Sequence, residues 1–203
     1  MAENDATQIS VETENAPEAV DSRYVIDGRA SRFTVRVFAT GMLAKMGHNP
    51  TIAARDMRGG MRFDPEGLEA GEFELVVKAA SLNVQDDVSE KDRREIERIM
   101  NQEVLEVATF PEIRYKAASI PVMKVSDMLY SAALDGELTL HGITRKEPIS
   151  ARVTLLGSML RASGDLTLHQ SDYGIKPVSV AGGILKVKDE LKLSFEIVAR
   201  RQV

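Results

Sequence analysis

The sequence predicts an all-β domain of about eight antiparallel strands with one amphipathic helix inserted between two of them. Three observations carry this. From residue 22 onward apolar and polar residues alternate with period two, which puts successive side chains on opposite faces of a strand. Turn signals separate these segments at hairpin spacing, the rhythm of a meander and not of βαβ units. Only residues 89–107 switch to a helical period.

Taken in order, residues 1–21 carry Glu3, Asp5, Glu12, Glu14, Glu18 and Asp21 with no Lys, Arg or aromatic residue. Such a segment buries too little apolar surface to offset its ordering entropy, so it is expected to be a disordered acidic tail ahead of a domain spanning 22–203. In the first strand Phe33, Val35 and Val37 alternate with Arg32, Thr34 and Arg36. A strand is expected over about 50–64, closed by the turn Asp64-Pro65-Glu66-Gly67. Phe73, Leu75 and Val77 alternate with Glu72, Glu74 and Lys78.

The helix follows, SEKDRREIERIMNQEVLEV, with Ile96, Ile99, Met100, Val104 and Val107 on one stripe. Ser89 followed by Asp92 resembles a capping box, and Pro111 stops any continuation. Ile113, Tyr115 and Ala117 then resume the alternation. Further strands are expected over about 127–141, 147–157, 160–170 and 184–201, with turns at Gly157-Ser158 and Gly182-Gly183. In the last, Leu193, Phe195 and Ile197 face away from Lys192, Ser194 and Glu196.

Strands with one apolar face bury it either in a two-sheet sandwich or in one sheet closed on itself. Closure removes the exposed edges that long strands would present, which favours the barrel. An eight-stranded barrel is just wide enough for its own side chains or one small ligand. The inward candidates are mid-sized aliphatics, and the chain has six Phe and no Trp, a composition that leaves more lumen than stacked aromatics would.

Composition excludes several functions. Six of the 31 acidic residues lie in the tail, leaving 25 against 26 basic ones, so the body is nearly neutral and nucleic acid is not an expected partner. The absence of cysteine rules out disulfides, thiolate metal sites and a cysteine nucleophile. The start lacks the basic and apolar regions of a secretory signal, and no segment is long and apolar enough to span a bilayer, so a cytoplasmic protein is expected.

A series of landmarks in order resembles the YceI-like family of lipid-binding barrels. Tyr24-Val25-Ile26-Asp27 with Ser31-Arg32-Phe33-Thr34-Val35 is similar to the family's opening strand. Gly59-Gly60-Met61-Arg62-Phe63-Asp64, Ala80-Ser81-Leu82 and Thr109-Phe110-Pro111-Glu112-Ile113 follow. Gly136-Glu137-Leu138-Thr139-Leu140-His141-Gly142-Ile143-Thr144-Arg145 is the most recognisable motif, and Ser171-Asp172-Tyr173-Gly174-Ile175 precedes the last strand. The resemblance covers about residues 22–201. It implies an elongated, lipocalin-like barrel with a tunnel for a polyisoprenoid or fatty amphiphile, no cofactor and no shared enzymatic activity. With the long strands it also points to a homodimer. Gly47-His48-Asn49-Pro50 is less typical of the family, and many members carry a secretory signal that this chain lacks.

The ligand-lining residues expected on this reading are Phe33, Val35, Val37, Phe73, Leu75, Val77, Leu138, Leu140, Leu166, Leu168, Leu193, Phe195 and Ile197, with His48 and Tyr173 at the rim. Catalytic and metal-ligating residues are not expected. The rival is a metal-assisted enzyme using His48, His141 and His169, since three imidazoles can hold zinc with an open position. Their spacings of 93 and 28 residues match no ligand signature, and parity puts His141 and His169 on the wet face. Gly157-Ser158 lacks the nucleophile elbow, and no phosphate-binding glycine loop occurs. Lys91, Arg93, Arg94 and Arg98 sit among acids and read as a solvated helix face, with transient contact to anionic lipid during loading as the alternative. A third reading is an interaction or stress-response module whose barrel is filled by its own core.

Overall fold

The computed structural model describes residues 22–40, 49–64, 68–118, 120–180 and 185–202. The acidic tail, the turn over 65–67, Gly182-Gly183 and His48 lie outside the described residues. The strands are β1 (Ser22–Ile26), β2 (Arg32–Arg36), β3 (Ala39–Thr40), β4 (Thr51–Ala54), β5 (Met57–Asp64), β6 (Glu69–Lys78) and β7 (Leu82–Val84). After the helix α1 (Glu90–Ile99) come β8 (Glu112–Ala117), β9 (Ile120–Ser126), β10 (Leu129–Leu140), β11 (Ile143–Leu156), β12 (Met159–His169), β13 (Ser179–Val180), β14 (Leu185–Val187) and β15 (Glu190–Arg201).

Each strand of the main path pairs antiparallel with its neighbours in the order β1-β5-β6-β8-β10-β11-β12-β15, and β1 pairs with β15 to close the ring. The result is an eight-stranded antiparallel barrel, and closure disposes of the edges a sandwich would leave. β13, β14 and β3 form a small separate sheet. The sequence suggested an unbroken strand over 50–64, whereas the chain kinks at Arg55 and Asp56, so that β5 pairs with β1 while β4 pairs with β2. The strand expected over 184–201 is likewise divided into β14 and β15.

Two serines from the landmark motifs satisfy backbone groups at breaks between strands. At the break between β1 and β2, Ser31 Oγ donates to the Asp27 carbonyl at 2.8 Å and accepts from the Val198 N–H at 2.9 Å. Opposite the kink between β4 and β5, Ser81 Oγ accepts the Asp56 N–H at 3.0 Å. A hydroxyl can do both jobs, so the backbone groups freed at these breaks stay satisfied.

The β10–β11 hairpin turns on His141 and Gly142, both with positive φ (50° and 74°), as a two-residue type I′ turn requires. Glycine suits the second position doubly, because a Cβ there would lie 2.6 Å from the Phe110 ring.

The helix is shorter than the predicted 89–107. It runs from Glu90 to Ile99 and then widens into a π turn over Met100–Val104, with Leu105 N–H reaching the Met100 carbonyl. Ser89 caps it by accepting the Asp92 N–H at 3.1 Å. The reciprocal half of a capping box is missing: the shorter Asp92 carboxylate accepts the Ser89 hydroxyl instead, at 2.7 Å. Ile96, Met100 and Val104 pack on the core as the stripe predicts, joined by Leu105, which the π turn brings round to the same side.

Candidate functional site

Inward side chains from the strands do not meet at the barrel axis. They leave a cavity in which the centre of a water-sized sphere can sweep about 210 Å³. One water needs about 10–15 Å³ on that measure, so this is unfilled space well beyond a packing defect. All thirteen residues expected to face a ligand lie on its wall: Phe33, Val35, Val37, Phe73, Leu75, Val77, Leu138, Leu140, Leu166, Leu168, Leu193, Phe195 and Ile197. Strict alternation along five strands, β2, β6, β10, β12 and β15, brings them together. Phe33 and Val35 stand opposite Phe195 and Leu193, which in turn neighbour Gly164 and Leu166.

The wall also contains residues that sequence reasoning did not single out. Met61 and Phe63 on β5, Ala132 and Leu134 on β10, and Ile149, Ala151 and Val153 on β11 all follow the same alternation, which was the signal available. Small residues matter here. Ala132 stands directly opposite Ala151, so the wall is thin-skinned at that point and the lumen is wider. Met100, Val104 and Leu105 come from the π turn, where helix periodicity gives no hint of which side faces inward.

One end of the barrel is closed by aromatics. Phe63 meets Tyr130 edge to face at 5.5 Å and 81°, and Tyr24 and Leu160 are fully buried beside them. Burial raises the Tyr24 phenol above its ordinary pKa. These residues make a floor. At the other end the wall is completed by Met100, Val104 and Leu105, from the π turn after α1, and by Gln170 and Ile175.

Among the described wall residues only Tyr115 and Gln170 have a side chain carrying nitrogen or oxygen, and both are tied to backbone. The Tyr115 hydroxyl donates to the Glu147 carbonyl at 3.0 Å, with the Leu134 carbonyl at 3.3 Å. Burial pushes its pKa up to about 12. It lies over Gly136, where a Cβ would come within 2.3 Å of the phenol oxygen, so this strand glycine marks a close approach. The Gln170 amide donates to the Lys188 carbonyl at 2.9 Å. The cavity therefore offers hydrocarbon contact with little hydrogen-bond code.

Tyr173 is not at a rim. It is fully buried behind the wall, and its hydroxyl donates to Glu147 Oε2 at 3.2 Å. Burial and the neighbouring carboxylate raise its pKa. The loop that carries it is turned by a 3₁₀ segment and by Gly174 at φ 69°, which buries the ring where strand parity could not foresee it.

His169 is on the wet face as expected, its side chain 52% exposed, with Nδ1 4.0 Å from Asp172. His141 is not. As a turn residue it escapes strand parity and packs against Phe110, ring centroids 4.4 Å apart, with Glu106 Oε1 3.7 Å from Nε2. Among the described residues no group of three His, Asp or Glu side chains could hold a metal ion. The helix bases spend their charge locally: Arg94 pairs with Glu90, and Arg98 with Glu95 and Glu103. Arg93 departs from the solvated face expected of it and grips the carbonyls of Val84 and Asp86.

A closed antiparallel barrel around a hydrocarbon-walled cavity defines a binding protein of the lipocalin-like kind. The model of the YceI-like domain matches residues 24–199, so the chain belongs to the YceI-like family. It is 28% identical over 196 residues to a UPF0312 protein of Pseudomonas savastanoi pv. phaseolicola, covering 92% of each chain. Among solved structures, it resembles a polyisoprenoid binding domain from Saccharophagus degradans implicated in plant cell wall breakdown. That match has a TM-score of 0.65 and 18% identity, over 88% of this chain and 98% of that one. BcnA of Burkholderia cenocepacia matches with a TM-score of 0.62 and 16% identity, over 85% and 98%. At such identities the likeness speaks to the fold alone.

Proposed function

We infer that the protein binds and carries, or stores, an apolar chain of the isoprenoid, quinone-tail or fatty type inside the barrel. One observation supports this above the others: an unfilled cavity whose described wall is hydrocarbon apart from Tyr115 and Gln170, both already bonded to backbone. An apolar cavity of this kind stays dry and takes up hydrocarbon, since water would forfeit its hydrogen bonds there.

Size refines the reading. A cavity of roughly 150 Å³ accommodates benzene. Scaled from that, the ~210 Å³ here holds about eight carbons without rearrangement. At ~0.8 kcal/mol per buried methylene those contribute about 6–7 kcal/mol before association costs, so a chain of this length binds weakly and reversibly. A longer isoprenoid requires the wall to yield somewhere. The test is organic extraction and mass spectrometry of protein purified from its native host, paired with uptake of a prenyl alcohol in solution. Recovery of a prenyl or alkyl chain near one per barrel is expected. An empty extract together with no prenyl uptake would overturn the reading.

A further inference from the structure

The wall of the cavity is not uniform in the way it is held together. All eight staves of the ring are joined by ladders of backbone hydrogen bonds, and the sheet continues from β15 through β2 and β4 to β7. β7 is different. It pairs with β4 along one edge, and its other edge faces α1. There the ladder is replaced by side chains. Glu97 Oε1 accepts the Val84 N–H at 3.0 Å, while the Arg93 guanidinium donates to the carbonyls of Val84 and of Asp86, the latter at 2.9 Å. Two side chains of one helix thus stand in for a missing strand.

Three further features converge on this seam. No residue of α1 is fully buried, and Ile96 is the residue through which it packs on the core, so the helix is lightly held. Its continuation is a π turn, a helix irregularity common at functional positions, and that turn sets Met100, Val104 and Leu105 against the cavity beside Leu82 of β7. The opposite end of the barrel is floored by Tyr24, Phe63 and Tyr130. A ligand reaching the cavity through the floor must displace fully buried aromatics, and through a stave it must part a ladder. At the α1–β7 seam it need only undo a clasp whose donors and acceptors water can satisfy once parted.

We propose that this seam is the ligand portal: α1 swings from β7, the apolar chain passes between Leu82 and the π turn, and the Arg93–Glu97 clasp closes behind it. The proposal deepens the carrier reading and rests on it. It also accounts for chains longer than the resting cavity holds, because displacement of the helix is what enlarges the space.

The experiment uses the full chain and a fluorescently tagged farnesol, followed by stopped flow in both directions. Arg93→Ala and Glu97→Gln are expected to raise the loading and release rates about tenfold each, leaving the Kd within about threefold, because the clasp raises the barrier without touching the bound chain. A second arm guards against misfolded variants. The chain has no cysteine, so Asn83→Cys with Glu97→Cys can be joined selectively by a short bis-maleimide. The cross-linked protein is expected to load and release at least tenfold more slowly than its unlinked parent. Loading that proceeds with rates unmoved by either the clasp variants or the cross-link overturns the portal and leaves the carrier reading standing. Absence of uptake by the unaltered protein overturns both.

Discussion

Ala151→Phe should abolish most of the chain-binding capacity while leaving the barrel as stable as before. Ala151 is buried on the cavity wall, directly across from Ala132. The substitution adds a phenyl group, whose bulk is that of the benzene that a cavity of roughly 150 Å³ accommodates. Of the ~210 Å³ available, about 60 Å³ remains, room for two carbons in place of eight. At ~0.8 kcal/mol per methylene the loss is about 5 kcal/mol, a fall in affinity of three to four powers of ten. Stability moves little, because roughly 1.5–3 kcal/mol from burying the ring is offset by 1–3 kcal/mol of repacking strain. The assay is a titration with 1-octanol, whose chain matches the resting cavity, alongside urea unfolding of the two proteins. A variant that unfolds several kcal/mol more easily, with binding of the residual folded protein unchanged, would mean that the phenyl met a solid core and that no lumen exists at Ala151.

Other outcomes follow from the same contacts. Gly136→Ala forces a methyl group against the Tyr115 phenol oxygen at 2.3 Å and the Lys116 carbonyl at 2.6 Å, and should cost roughly 1–3 kcal/mol in urea unfolding. Tyr115 titrates at about 12 in the folded protein against about 10 when unfolded, so its neutral phenol stabilises fully below pH 10, and that contribution is lost as pH rises toward 12. Tyr115→Phe should therefore flatten the alkaline limb of a Tm–pH profile while costing about 1 kcal/mol near neutrality. Asp189 is held below the ordinary carboxylate range, chiefly by the Ser171 hydroxyl and then by the Ser171 N–H, so its contribution is present above pH ~4 and lost as pH falls further. Asp189→Asn should make the acid limb of the same profile shallower.

What the sequence reveals here divides along the physics of each element. Wall residues such as Leu138, Leu140, Leu193 and Phe195 were legible because a strand's period is exact enough that one apolar face, once found, names its members. The barrel was legible because hairpin spacing leaves few ways to bury that face. Tyr173 and His141 were misplaced because each sits where the chain leaves strand geometry, one in a 3₁₀ loop and the other in a turn, and alternation says nothing beyond a strand's last residue. The clasp was invisible for a different reason. Arg93 and Glu97 read as two more charges on a solvated helix, and only the free edge of β7, a product of tertiary pairing, gives them partners. The breaks bridged by Ser31 and Ser81 are of the same kind, since a hydroxyl's partner 167 or 25 residues away leaves no local trace.

The claim beneath all of this is that the centre of the barrel is dry space that hydrocarbon fills. Calorimetric titration with 1-octanol at several temperatures tests it most directly, because burial of apolar surface leaves a heat-capacity signature that polar surface binding does not. Saturable binding at one molecule per barrel, with a negative heat-capacity change, is the predicted result. Absence of saturable binding, or binding at a stoichiometry unrelated to the barrel with no heat-capacity change, would contradict it.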